Sequence, residues 1–125
     1  MRNGFRIVAF GACFLVGCAA NERYPQLQNI PLARKPVVPT TEQACQAAGG
    51  YWVVQGLPGG PQSCAMKATD ARKICTDNTQ CEGQCLVAKS LEIGSKGVGS
   101  CSDYVATFGC IKFLQNSSVV AMCGD

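Results

Sequence analysis

The sequence predicts a small disulfide-rich domain, mainly β, with one short N-terminal helix and a C-terminal hairpin. Three observations carry this. Eight cysteines crowd positions 45–123 of a chain of 125 residues, a density that marks crosslinked scaffolds. Short β-branched and aromatic runs alternate with Gly, Pro and Asn turn signals. One segment alone, residues 42–48, carries both the start and the stop signals of a helix.

That helix is expected to begin at Thr40 as N-cap, with Gln43 completing a capping box. It should bury Cys45 and stop at Gly49-Gly50. Tyr51-Trp52-Val53-Val54 has strand composition, and the Gly- and Pro-rich stretch 56–61 reads as a turn. That stretch lacks the Gly-Lys-Ser/Thr ending of a phosphate loop. The run CTDNTQCEGQC over residues 75–85 has little to bury, so crosslinks must hold it. At the C-terminus, a two-residue turn at Asn116-Ser117 would pair Gln115 with Ser118 and set Cys110 opposite Cys123. Ile111 and Phe113 would then face Val120 and Met122. A direct Cys110–Cys123 bond is compatible with this register but not implied by it.

The cysteines at 45, 64, 75, 81, 85, 101, 110 and 123 form an even set, and sequence leaves their pairing open. A metal site is the competing use. The spacing of Cys75, Cys81 and Cys85 is not that of a zinc knuckle, and the chain has no histidine. Redox catalysis lacks a Cys-x-x-Cys pair. The residues favour disulfides and no metal or other cofactor.

The formal charge of +3 belongs to the N-terminal part, since six basic residues face seven acids from Glu42 onward. A near-neutral domain offers no footprint for nucleic acid. Without histidine, Ser-His-Asp and Cys-His catalysis are excluded. Asp70, Asp77 and Asp103 read as turn-formers in loops. No catalytic residue is assigned, and the chain is expected not to be an enzyme.

The first residues carry a different signal. Arg2 and Arg6 precede a ten-residue apolar run, IVAFGACFLV, too short to span a bilayer but fitting the core of a secretory signal. It runs into Leu15-Val16-Gly17-Cys18. That tetrad resembles the lipobox of bacterial lipoproteins, a likeness confined to the leader. The resemblance implies a signal peptide over residues 1–17, cleavage before Cys18, and diacylglycerol and acyl (palmitate-type) lipid on Cys18. An ordinary secretory cleavage is the alternative. Ala19, where the retention signal would be Asp, implies the outer membrane, facing the periplasm, if the source is didermal. The partner implied is the lipid bilayer.

Residues 18–41 would then form the lipidated N-terminus and a Pro-rich tether, with prolines at 25, 31, 36 and 39. The tether is either a plain spacer or a docking strip anchored by Tyr24-Pro25 and Val37-Val38. Residues 42–125 form the globular domain. Two functional classes follow: a structural or binding module for an envelope protein or glycan, or a protease inhibitor or ligand-capturing module presenting loop 56–62 or 90–100. The small residues of the second loop predict flexibility. Exposure of Trp52 with Leu57 would mark a contact surface, whereas a buried Trp52 would fill the core.

Overall fold

The computed structural model describes residues 30–124. The expected signal peptide, the lipobox-like tetrad with Cys18, and Tyr24-Pro25 lie outside the described residues. Among the described residues, no helix is long and apolar enough to cross a membrane.

Helix α1 (Glu42–Ala47) is followed by strands β1 (Tyr51–Val54) and β2 (Gln62–Ala65), which pair as an antiparallel hairpin. The rest builds a second sheet from β3 (Ile74–Cys75), β4 (Cys85–Leu86), β5 (Gly99–Cys101), β6 (Gly109–Gln115) and β7 (Ser118–Gly124), in the order β3-β5-β4-β6-β7. The domain is thus mainly β with one short helix and a C-terminal hairpin, as the sequence predicts.

The helix starts at Glu42 as expected, but its cap lies one residue later. Thr41, not Thr40, is the N-cap: it is extended (φ −125°, ψ 150°), and its hydroxyl accepts from the Ala44 N–H. With Thr41 as cap, the third helical position is Ala44, so no capping box forms there. The helix ends at Gly49-Gly50 as expected, with the Gly50 N–H returning to the Cys45 carbonyl.

Four disulfides join Cys45 to Cys64, Cys75 to Cys85, Cys81 to Cys101, and Cys110 to Cys123. The first pins α1 to β2. The next two form the core: their sulfurs pack with Leu114 and Val119, and Val87 and Leu91 cover them. Crosslinks of this kind contribute on the order of 3 kcal/mol each in the chain-entropy picture. They offset what so few large apolar residues leave undone.

The register concentrates the sulfurs. Cys85 pairs with Cys101, and Cys75 with Gly99 two residues along β5, so all three cysteines share one face. Strands β3 and β4 both flank β5, yet their cysteines lie 6.0 Å apart between Cα atoms. Two lateral steps in a flat sheet would be about 9–10 Å. The sheet therefore curls at Gly99, whose missing side chain leaves room there: a Cβ would stand 3.0 Å from the Cys85 sulfur and press on the Leu86 carbonyl.

The C-terminal hairpin has the predicted register, Gln115 opposite Ser118 and Cys110 opposite Cys123. Val119 exchanges backbone hydrogen bonds outward with Gly94 and Ser95, so it occupies a non-hydrogen-bonded pair with Leu114. By alternation, Cys110 and Cys123 occupy another, where Cα atoms come closest; theirs are 4.0 Å apart. Ile111 and Phe113 stand opposite Met122 and Val120 as expected. The deepest burial lies on the other face, where Leu114 and Val119 are fully enclosed by the disulfides.

A candidate binding groove between the hairpin and the sheet

Alternation along β1 sorts its side chains. Trp52 is opposite Cys64 and so shares the face that the Cys45–Cys64 bridge ties to α1. Tyr51 and Val53 point the other way, and with Ala65 they form one wall of a groove of about 610 Å³. Leu86 and Ile111 of the large sheet line it from below, and Tyr104, Thr107 and Phe108 close it. Tyr51 is 59% exposed and Tyr104 40%, a cost in solvent-facing aromatic surface that usually marks contact sites.

The segment carrying Tyr104 is firmly placed. Ala68 and Val105 donate backbone hydrogen bonds to Asp103 and Met66. Buried Ser102 exchanges backbone and hydroxyl bonds with Gln84 and donates its hydroxyl to the Tyr104 carbonyl at 2.7 Å. Gly83 makes this possible, because a Cβ there would fall on the Ser102 hydroxyl and the Tyr104 carbonyl. The Thr107 hydroxyl is buried in the groove wall with no hydrogen-bond partner among the described residues, leaving one polar group for an occupant to satisfy.

The residues singled out from sequence are not brought together here. Trp52 is half-buried on the helix side, neither filling the core nor lining the groove. Leu57 is 63% exposed in the turn between β1 and β2. The groove aromatics were signalled one residue away: strand periodicity puts Tyr51 on the face opposite Trp52, a choice that needs the fold to resolve.

The acids near cysteines are used structurally. Asp77 caps a 3-10 turn (Asn78–Gln80) and forms a capping box with Gln80; the Asp-x-x-Gln spacing carries that signal in the sequence. Burial works against the Asp77 carboxylate. The N–H groups of Thr79, Ser117 and Asn116 and the Thr79 hydroxyl outweigh it, and its pKa is lowered. The Thr69 hydroxyl and N–H hold Glu82 below its ordinary range, against slight burial and with help from Lys73. Asp70 is buried and accepts from the Glu82 N–H at 2.8 Å. Asp103 is exposed and pairs with Arg72 at 3.1 Å.

Three sulfurs, of Cys75, Cys81 and Cys101, lie within 4.8 Å of one another. All three are bonded in the two core disulfides, whereas a metal takes thiolates. The cluster is the stack of two crosslinks.

Loop 90–100 is braced, contrary to the expectation of flexibility. Gly94 and Ser95 bond to Val119 on the edge of β7, and the Lys112 ammonium donates to the Lys89 and Leu91 carbonyls. Small residues loosen a chain locally, but these bonds come from strands distant in sequence. The second half of the predicted tether also makes defined contacts. Ala33 donates to the Thr79 carbonyl at 2.9 Å, and the Lys35 ammonium reaches the Asn78 and Gly83 carbonyls.

No protein-family model, curated protein or solved structure matches this chain.

Proposed function

We propose that this protein is a lipid-anchored lipoprotein of the cell envelope whose disulfide-stabilised domain binds another envelope component through the groove between β1 and the large sheet. One observation carries the reading: apart from Cys13 within the apolar run of the leader, the ten cysteines divide by role. All eight from Cys45 to Cys123 pair with one another, the pattern of a chain oxidised after export. Cys18 stands apart in the Leu15-Val16-Gly17-Cys18 tetrad, where a thiol is the group to be lipidated. The anchor is diacylglycerol and acyl chain on Cys18, since stable retention takes more than one chain. The compartment is the outer membrane facing the periplasm in a didermal cell. The domain binds and does not catalyse: the titratable groups lining the groove are Tyr51, Asp103 and Tyr104, with no nucleophile set against a base.

The test is a photo-crosslinking residue placed at Tyr51 or Tyr104 in the full-length chain in its own cells. A defined envelope protein or glycan should be captured from these positions and not from Trp52. Equal capture from Trp52 would refute the groove. A Cys18→Ala chain that still fractionates with membranes and still carries lipid would refute the anchor.

The bracing of loop 90–100 favours a second reading, inhibition of a protease. Ile93 is 66% exposed at its crest, beside Gly94, whose N–H is held by the Val119 carbonyl. Stoichiometric inhibition of an envelope protease, lost in Ile93→Ala, would support it; simple cleavage of the loop would dismiss it.

A further inference from the structure

Among the described residues, strand β1 has a single hydrogen-bonded neighbour, β2, so its other edge is open. The far side of the hairpin is taken: beyond β2 the chain enters the Lys67–Tyr104 bridge, where Ala68 and Val105 donate to the Asp103 and Met66 carbonyls. Exposed edges are usually blunted by charge, proline or a covering segment. Strand β1 reads Tyr-Trp-Val-Val, with no charge and no proline, and Tyr51, Val53 and Val54 are exposed.

The same strand frames the groove. Tyr51, Val53 and Gln55 line it at every second residue, whereas β2 contributes Ala65 alone, so the groove follows β1. The bridge also shows which backbone groups are open. Met66 and Ala68 turn theirs toward residues 103–105, so by alternation Ala65 turns its own toward Tyr51. The N–H and C=O groups of Trp52 and Val54 then point outward from the hairpin.

We propose that the occupant of the groove is an extended peptide segment of a partner protein, which adds to the open edge of β1 as a third strand. This rests on the groove reading above and specifies the partner. The segment pairs its backbone with Trp52 and Val54, and every second side chain enters the groove against Tyr51, Val53, Leu86 and Ile111. Outward amides at strand spacing select a strand over a glycan, which has no such row of donors and acceptors. The four residues of β1 are too few to join two folded copies of this chain, since a stable interface buries about 1,000 Å² or more. A linear segment uses the same edge and fills the groove as well.

The probe is a panel of fluorescent peptides of about eight residues, with Val, Leu or Phe at alternate positions and Lys or Ser between. Anisotropy is read against the full-length processed chain in detergent micelles, with empty micelles as the blank. Alternating peptides should bind, and the same residues in blocked order should bind about tenfold or more weakly. N-methylation of a binder at alternate residues should cost about tenfold or more in one parity and little in the other, because one set of N–H groups alone pairs with β1. Val54→Pro should reproduce the loss with little change in Tm, since the missing N–H faces away from β2. If that variant does not fold, the parity of the N-methyl effect decides by itself. Binding indifferent to parity, or retained in folded Val54→Pro, would overturn the added strand. A glycan captured from Tyr51 with no peptide bound would overturn the strand and leave the groove standing. No capture from Tyr51 and no peptide bound would overturn both. A dimer of this chain that Val54→Pro abolishes, with no peptide bound, would put a second copy on the edge and refute the proposal.

Discussion

The Asp77 carboxylate accepts a hydrogen bond from the backbone N–H of Ser117 at 2.8 Å, across a separation of 40 residues. Its other oxygen accepts from the Thr79 N–H and hydroxyl. One side chain thus caps the 3-10 turn between two core cysteines and steadies the turn of the C-terminal hairpin. Asp77→Ala removes both at once. It should destabilise the oxidised protein by about 1–2 kcal/mol, the usual range for a lost cap, read from the shift in urea midpoint. Asp77→Asn should recover part of that loss, because an amide oxygen still accepts.

The hairpin turn itself carries correctable strain. Asn116 and Ser117 have φ of 51° and 59°, the left-handed conformation of a type I′ turn, which Ser tolerates poorly. Ser117→Gly keeps the N–H that Asp77 uses and removes the Cβ penalty. Its Tm should rise, with a gain of about 1 kcal/mol; an unchanged or lower Tm would contradict this account.

Gly99 is the crease of the large sheet. Gly99→Ala places a methyl against the Cys85 sulfur and the Leu86 carbonyl, neither of which is the free end of a flexible side chain. Overpacking of this kind costs about 1–3 kcal/mol. The variant should show a lower Tm and a poorer yield of the fully oxidised form by mass spectrometry. Gly94→Ala is the comparison in open space, where only its φ of 85° is at issue.

Acid should weaken the fold through Asp77 and Glu82. Both carboxyls have lowered pKa values in the folded chain. The folded state binds their protons less readily than the unfolded state, so their stabilisation is complete above about pH 5 and is lost as the pH falls through 4 toward the depressed values. Urea midpoints measured from pH 6 to pH 2 should decline over this range, and Asp77→Ala should flatten the decline.

Reduction should proceed in order of access. Cys110 and Cys123 are exposed, whereas the other six cysteines are 0–3% exposed. Limited reduction followed by alkylation should modify Cys110 and Cys123 first, with a folded intermediate retaining three disulfides. Prior release of Cys75 or Cys81 would mean that the domain opens before its surface bond is reached.

Local signals in the chain placed the elements well. Gln115 and Ser118 around a two-residue turn fixed the hairpin register through to Cys123, because antiparallel pairing propagates from the turn. Gly49-Gly50 stopped the helix where the backbone needs such residues. The helix cap shifted by one position because two threonines stand side by side, and only the backbone angle at Thr41 distinguishes them.

What the sequence determined by itself was the class: eight crosslinking cysteines, a short helix, strands and turns. Those are properties of composition and of neighbours a few residues apart. The tertiary structure decided the rest. Disulfide partners, the curl at Gly99, the bracing of loop 90–100, the docking of Lys35 and the choice of Tyr51 over Trp52 as groove aromatic all depend on which faces meet. A strand presents two faces with equal local credentials, and a cysteine has no local preference among partners. Contacts between residues far apart in the chain select between them.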